Sequence, residues 1–438
     1  MEESLDERLR KVREKNSNEL VGSHITLINF LRGMIGPGCF SVPLALKFAG
    51  LWTGFALIFI IGLITTINMS KLVRCSQYLC ALTNTGALNY GNMTEEAFKQ
   101  SFPRLQRHSL AAKLFINISL FILQLGVCSV AYIFMVDHLH EVLNHLWPNH
   151  GLTDKDLILI AFIPYCFEVS IRNFWILSAV SVVGNCFMIV ALVTIFVKLV
   201  LSRNMIPELP VSTDFNGFML AAGSILYAFE GQAVVLPIEN KLKHASEMNG
   251  YTGILTTGMT LTTVTYAFCG FFGYIVYGPR VEGSITLNMP SDSSVVFAVK
   301  CLLMVIVFSG YLLQHYVIVE MYIPEMWAYL RKKGYRYRTI MAIEYANRYA
   351  ILLLSMGLAL AVPNLGDIIS LIGVSIGMML AMVIPPLIEW VTFLPVWLRE
   401  NRRKEMWLQS AFNVFSICVG LVFMVFGLKS NIQNMTSK

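Results

Sequence analysis

Long apolar stretches, separated by shorter polar and charged ones, recur from residue 24 to residue 428. Each is about 20 residues long, the length at which a helix crosses the hydrocarbon of a bilayer. Most lack the 3.6-residue alternation of a helix lying on a water-soluble core. The pattern predicts about eleven transmembrane helices, over residues 24–48, 51–73, 112–137, 157–171, 174–200, 216–239, 252–277, 296–323, 340–362, 366–388 and 407–428. The fourth is the shortest and its limits are the least well marked. This is the pattern of an all-α polytopic membrane protein. A charged arm, 1–23, precedes the spans and a short tail, 429–438, follows them; no cleavable leader is expected.

Two spans carry residues that break helices. Span one reads HITLINFLRGMIGPGCFSVPLALKFAG, with Gly33, Gly36, Pro37, Gly38 and Pro43. Span six reads GFMLAAGSILYAFEGQAVVLPIENKLK, with Phe229, Glu230 and Gly231 at its middle and Pro237 beyond. Glycine costs a helix interior about 1 kcal/mol relative to alanine, and proline about 3. Irregular backbone at membrane depth is tolerated only inside protein or beside a wet cavity. Five spans separate the two starts, so 24–200 and 216–388 read as two five-helix units. An odd number of spans per unit inverts the second unit relative to the first, and span eleven, 407–428, is an addition. Interrupted spans at matching places in two halves point to a secondary-transporter binding site.

A broken helix exposes N–H groups where its second half begins and C=O groups where its first half ends. The amides near Gly36, Gly38 and Cys39 can hold a carboxylate, as helix N-termini hold anions. Carbonyls near Met34, Ile35 and Tyr227 to Phe229 can hold an ammonium, and glycine lets a ligand approach closely. Packing and kinking by the same glycines and prolines is the plainer alternative. Glu230, flanked by Phe229 and Gly231, is a carboxyl group near mid-bilayer, a functional-site hypothesis by default. It would carry a proton, meet a substrate ammonium, or brace the break. His24 is a weaker proton-coupling candidate. Arg32 would close a gate or extend toward the headgroups. Tyr132 on span three, with Tyr311, Gln314 and Tyr316 on span eight, would line a cavity or simply pack.

Charge adds orientation. Lysine and arginine gather in the arm, between spans two and three, between eight and nine (Arg331, Lys332, Lys333, Arg336, Arg338) and between ten and eleven (Arg399, Arg402, Arg403, Lys404). Alternate loops are poor in them. That bias places the N-terminus in the cytosol and, with an odd span count, the C-terminus outside or in a lumen. The net charge of +6 therefore reads as topology, not nucleic-acid binding. Glu168 with Arg172, and Glu344 with Arg348, stand four apart and are expected to pair locally; Asp137 and Lys300 are expected to be solvated. The nine cysteines lie in spans or at their cytosolic ends, with no disulfide framework or zinc spacing. There is no catalytic constellation, P-loop or metal triad, so neither an enzyme nor a cofactor is expected.

The phrases IGPGCFSVPLALKFAG, QLGVCSVAYIFMVDHL, SIRNFWILS, YAFEGQAVVLPIENKLK, GSITLNMP and IISLIGVSIGMMLAMVIPPLIE resemble, in that order, the proton-coupled branch of the amino acid/auxin permease family. The resemblance spans about residues 24–428 and implies an eleven-span, LeuT-like fold of five plus five inverted helices and one more. It implies proton-driven transport of small neutral amino acids such as glycine, alanine and proline, with Phe229, Glu230 and Gly231 standing in the family's FEG element. Three departures stand out. Asn29 occupies the place of a histidine linked to proton sensing. No cysteine lies in an external loop, where mammalian members have a disulfide. The IGTG element reads IGPG, one backbone donor fewer. Uncoupled facilitated transport is the alternative, as is an amino-acid sensor signalling to a cytosolic partner through its arm and the 74–111 loop. The plasma membrane and the lysosomal or endosomal membrane are both compatible.

Overall fold

In the computed structural model the described residues are 20–148, 151–172, 174–290 and 293–436, with backbone alone for residues 37, 174–182 and 185. All but the last residues of the arm lie outside them. Among the described residues there is no sheet, only one parallel bridge between Val21 and Leu242.

Helices lie over every expected span. Span one is α1 (Ser23–Met34), a 3-10 turn (Pro37–Ser41) and α2 (Val42–Ala49). Span two is α3 (Leu51–Thr83), and a loop helix α4 (Tyr90–Lys99) follows. Spans three to five are α5 (Ser109–Leu146), α6 (Asp154–Val169) and α7 (Phe174–Leu201). Span six is α8 (Phe215–Ala228) with α9 (Gln232–Asn240), and span seven is α10 (Ile254–Tyr277). Spans eight and nine are α11 (Ser294–Lys332) and α12 (Tyr337–Ala361). Span ten is α13 (Leu365–Ile372), two π-helical turns from Gly373 to Val383, and α14 (Ile384–Arg399); α15 (Arg403–Thr436) is last. Seven of these paths are long and apolar enough to cross a bilayer, and eight when the bent first span counts as one.

Several helices overrun their apolar segments. The 33 residues of α3 make about 50 Å of helix, more than the roughly 30 Å of a hydrocarbon core, and Lys71, Arg74 and Gln77 stand in its second half. The start of α6 is set by a capping box, Thr153 with Asp156, which satisfies two of the amides a helix start leaves open.

The helices pack in two groups. α5 lies against α11, α12 and α6, and α11 against α7. In the other group α8 lies on α2, while α10 lies on α1, α2 and α3. α8 also crosses span ten closely, with Gly223 facing Gly373 backbone to backbone. Small residues at such crossings allow helices without a hydrophobic drive between them to pack.

Charged residues settle differently from the local expectation. Glu344 does pair with Arg348, at 3.1 Å. Arg172, however, reaches Glu344 through two bonds of 3.0 and 3.1 Å instead of pairing with Glu168. Trp327 also donates to Glu344, at 2.9 Å. A planar guanidinium gains more from a two-point contact than from a neighbour one turn away. Glu168 is left buried, its carboxylate oxygens without a partner. Lys300, expected in water, is 1% exposed and pairs with Glu141 at 2.8 Å. Its long stem crosses between helices, so its place at a span end does not decide its exposure.

Candidate functional site at the two helix breaks

The first break opens where Pro37 has no N–H and two glycines flank it. α1 ends with the Ile35 amide donating to the Leu31 carbonyl at 2.7 Å, and the 3-10 turn begins with the Cys39 amide donating to the Gly36 carbonyl at 3.0 Å. The path bends by 47° between Ser23–Met34 and Gly38–Ala49. Cys39 has therefore spent the donor expected for a carboxylate. Its side chain is buried beside Cys269 on α10. The first amides of such a turn stay open, and with proline at 37 the open donor is that of Gly38.

The second break is tighter than the first. The Phe229 amide donates to the Ile225 carbonyl and the Glu230 amide to the Tyr227 carbonyl, both at 3.1 Å. The Gly231 amide donates to its neighbour Gln232 Oε1 at 3.1 Å. The path from Phe215 to Asn240 continues as one 26-residue span. The amides of Phe229, Glu230 and Gly231 are thus satisfied from within, so the donors this break has left are the first amides of α9.

The two breaks touch. A methyl group added at Gly38 would lie 3.3 Å from Cα of Ala228 and 3.6 Å from Cε1 of Tyr227, whereas one added at Gly36 would meet nothing within 4 Å. The side chain of Met34 packs against Gly231. Gly38 is thus small because another backbone passes it. Gly36, whose backbone is extended (φ −123°, ψ −167°), is the glycine that faces open space.

Tyr266 joins both breaks. Its hydroxyl lies 2.7 Å from the Met34 carbonyl and 2.7 Å from the Ala228 carbonyl, the free ends of α1 and α8. The residue is fully buried, with the Phe229 ring edge-on at 5.0 Å. Phe229 itself points at Gly62 on α3, so it sits behind the break. Sequence reasoning missed Tyr266. The available signal was a tyrosine amid the apolar span TLTTVTYAF, since a buried tyrosine hydroxyl requires a partner.

Glu230 extends toward span ten, its Oε2 3.9 Å from where a methyl on Gly377 would sit. Both carboxylate oxygens are buried and neither has a hydrogen-bond partner. Gly377 belongs to the π-helical stretch, a distortion frequent at functional sites.

The remaining candidates divide. Tyr132 and Tyr311 belong to a packed trio with Tyr165, which the sequence reading did not single out. Tyr132 stacks on Tyr165 at 4.6 Å, and Tyr165 lies 4.4 Å from Tyr311. Tyr132 donates to the Ile158 carbonyl at 2.7 Å and Tyr311 is bonded to Ser355 at 2.8 Å; the Tyr165 hydroxyl is buried without a partner. Gln314 is half-buried one turn along α11 from Tyr311. Tyr227 is half-buried beside Gly38. His24 is exposed on the first turn of α1, about 15 Å of helix from Met34. Arg32 is partly exposed on the last turn, and no acid among the described residues pairs with it.

On the face opposite the start of α1, the Phe40 carbonyl accepts from the Ile285 amide at 2.8 Å, which seats the buried loop 284–289 over α2. Beside it a cavity of about 670 Å³ is lined by Lys47, Asp137, Glu141, Glu282 and Asp367, among others. Partial desolvation and the nearby Glu141 hold Glu282 above the usual carboxylate range. On the other face, buried Glu389 of α14 takes Lys71 at 3.5 Å and Arg74 at 2.5 Å. There Gln77 donates to Glu239 at 3.0 Å, and Val21 pairs with the end of span six.

The profile of the family described as transmembrane amino acid transporter protein matches residues 23–433. The "probable amino acid transporter skat-1" of Caenorhabditis elegans is 29% identical over 424 residues, 95% of this chain and 91% of that protein. The "proton-coupled amino acid transporter-like protein pathetic" of Drosophila melanogaster is 27% identical over 410 residues, 94% and 84% of the two. A manganese transporter of Eremococcus coleocola, covering 94% of both chains at 10% identity, superposes with a TM-score of only 0.42. With the profile covering nearly all of its length, this all-helical, multi-pass chain belongs to the transmembrane amino acid transporter family.

Proposed function

We propose that this protein is a secondary transporter of small neutral amino acids that works by alternating access and symports protons. The observation that carries the reading is the contact of the two breaks. An open amide at Gly38, empty space at Gly36 and the converging carbonyls of Met34 and Ala228 present donors and acceptors to one zwitterion. We read the close passage of Ala228 and Tyr227 beside Gly38 as favouring a substrate with a small side chain. The buried carboxylate oxygens of Glu230 have no side-chain partner, and an isolated buried charge is costly; a proton or the substrate ammonium would supply one. The group holding both breaks would rock against the group built on α5, α6, α11 and α12, in the manner of two inverted five-helix units with α15 added. The charge bias favours a cytosolic N-terminus, in the plasma membrane or a lysosomal or endosomal one.

Uncoupled facilitated transport is a second reading, favoured by Asn29, which does not titrate and is exposed on α1. Uptake of labelled glycine, alanine and proline into vesicles holding the purified protein separates the two. An inward proton gradient accelerates a symporter and leaves a uniporter unchanged. Absence of saturable uptake of any of the three would overturn both.

A further inference from the structure

We propose that the hydroxyl of Tyr266 occupies the seat of a coupling cation, so that this transporter needs no sodium ion between its broken helices. The inference rests on the two breaks being the transport site. Carbonyls at the end of a half-helix carry about half a negative charge. In transporters built on broken helices, such carbonyls are the groups that hold sodium ions or protons. Here the ends of α1 and α8 aim at one point: the Met34 and Ala228 carbonyl oxygens both lie 2.7 Å from the Tyr266 oxygen. A single O–H hydrogen faces two acceptors, a three-centre arrangement. The phenol thus does what a small cation would do: it places positive charge between two converging oxygens and pins them together.

The seat is built for the phenol. Tyr266 is fully buried, and the Phe229 ring fixes its orientation edge-on. Gly38 brings the first break against Ala228, so the two acceptors converge only because the breaks touch. One O–H dipole offsets less charge than a whole cation. The residual negative potential remains for the substrate's ammonium, and ion coupling is left to a proton elsewhere, with Glu230 the nearest candidate on the same break.

The test uses the full-length protein and the variants Tyr266→Phe and Tyr266→Ser. Labelled alanine uptake is measured in vesicles in sodium, lithium and choline salts at one fixed pH gradient, and thermal unfolding is followed in the same salts. Wild-type uptake and unfolding temperature are expected to be the same in all three. Tyr266→Phe keeps the ring but not the hydrogen, and should lose about tenfold or more in uptake in every salt. Tyr266→Ser empties the seat, and sodium or lithium should raise its unfolding temperature by binding the folded form. A structural brace alone would produce no such ion response. Wild-type uptake that requires sodium, full uptake by Tyr266→Phe, or ion-blind unfolding of Tyr266→Ser would each overturn the proposal. Should the serine variant fail to fold, Tyr266→Asn replaces it under the same criterion. A wild type that moves no amino acid would defeat the transport reading, while ion-dependent unfolding would still decide the role of Tyr266.

Discussion

Replacing Gly36 or Gly38 by alanine separates the ligand space from the helix junction. At Gly38 the added methyl would come within 3.3 Å of Cα of Ala228. That neighbour is backbone and cannot rotate away, with the Tyr227 ring next at 3.6 Å, and forcing a methyl into such a contact costs about 1–3 kcal/mol. At Gly36 the same methyl meets nothing within 4 Å, and the extended backbone there suits any residue. Gly36→Ala should therefore leave stability unchanged or slightly raised, because the unfolded chain loses freedom. On the proposed site its methyl would intrude on the ligand, and a misplaced methylene in a binding pocket changes discrimination by about 1–3 kcal/mol, or roughly 10–200-fold. Thermal unfolding in detergent, paired with uptake and binding of labelled alanine, reads the two effects separately. Gly38→Ala should lower the unfolding temperature. Gly36→Ala should keep it and lose affinity, and Gly36→Val should lose more. Normal affinity in both Gly36 variants would refute the placement of the ligand; an unshifted unfolding temperature in Gly38→Ala would refute the contact of the breaks.

Glu230→Gln should flatten the dependence of uptake on an imposed proton gradient, measured as initial rate at two external pH values; an unaltered dependence would remove Glu230 from coupling. Glu344→Ala leaves Arg348 buried and Arg172 without its two-point partner, and breaking a buried pair from one side costs about 3–5 kcal/mol. Thermal unfolding should show that loss, with Arg172→Ala costing less because Arg172 is about a third exposed, at 35%. Glu282 is held above the ordinary carboxylate range, so the folded state binds its proton more readily than the unfolded chain does. Its contribution should be greatest at acid pH and decline as pH rises from about 4.3 through the raised value. Glu282→Gln should make that part of the stability profile flatter.

What could be read along the chain is what depends on neighbours in sequence. Apolar runs announce spans because each must satisfy its own backbone in lipid, and helices lie over all eleven expected stretches. Gly36, Pro37, Gly38 and the Phe229–Gly231 triplet announced breaks because helix propensity is local. The matched placing of the two breaks is likewise a property of the chain alone. The role of each glycine was not legible. A methyl at Gly38 would meet Ala228, 190 positions away, whereas one at Gly36 would meet open space.

The same distinction governs the polar groups. Arg172 could pair with an acid one turn earlier, but the folded chain brings it Glu344, 172 positions on, in a better two-point geometry. Tyr266 lies 232 positions from Met34 and 38 from Ala228, and no spacing in the chain couples those three. Local chemistry dictates where a helix must end and which groups are then exposed. Only the packing of distant helices decides what those groups meet, because hydrogen bonds and charge pairs act across a few ångströms of space, whatever the distance along the chain.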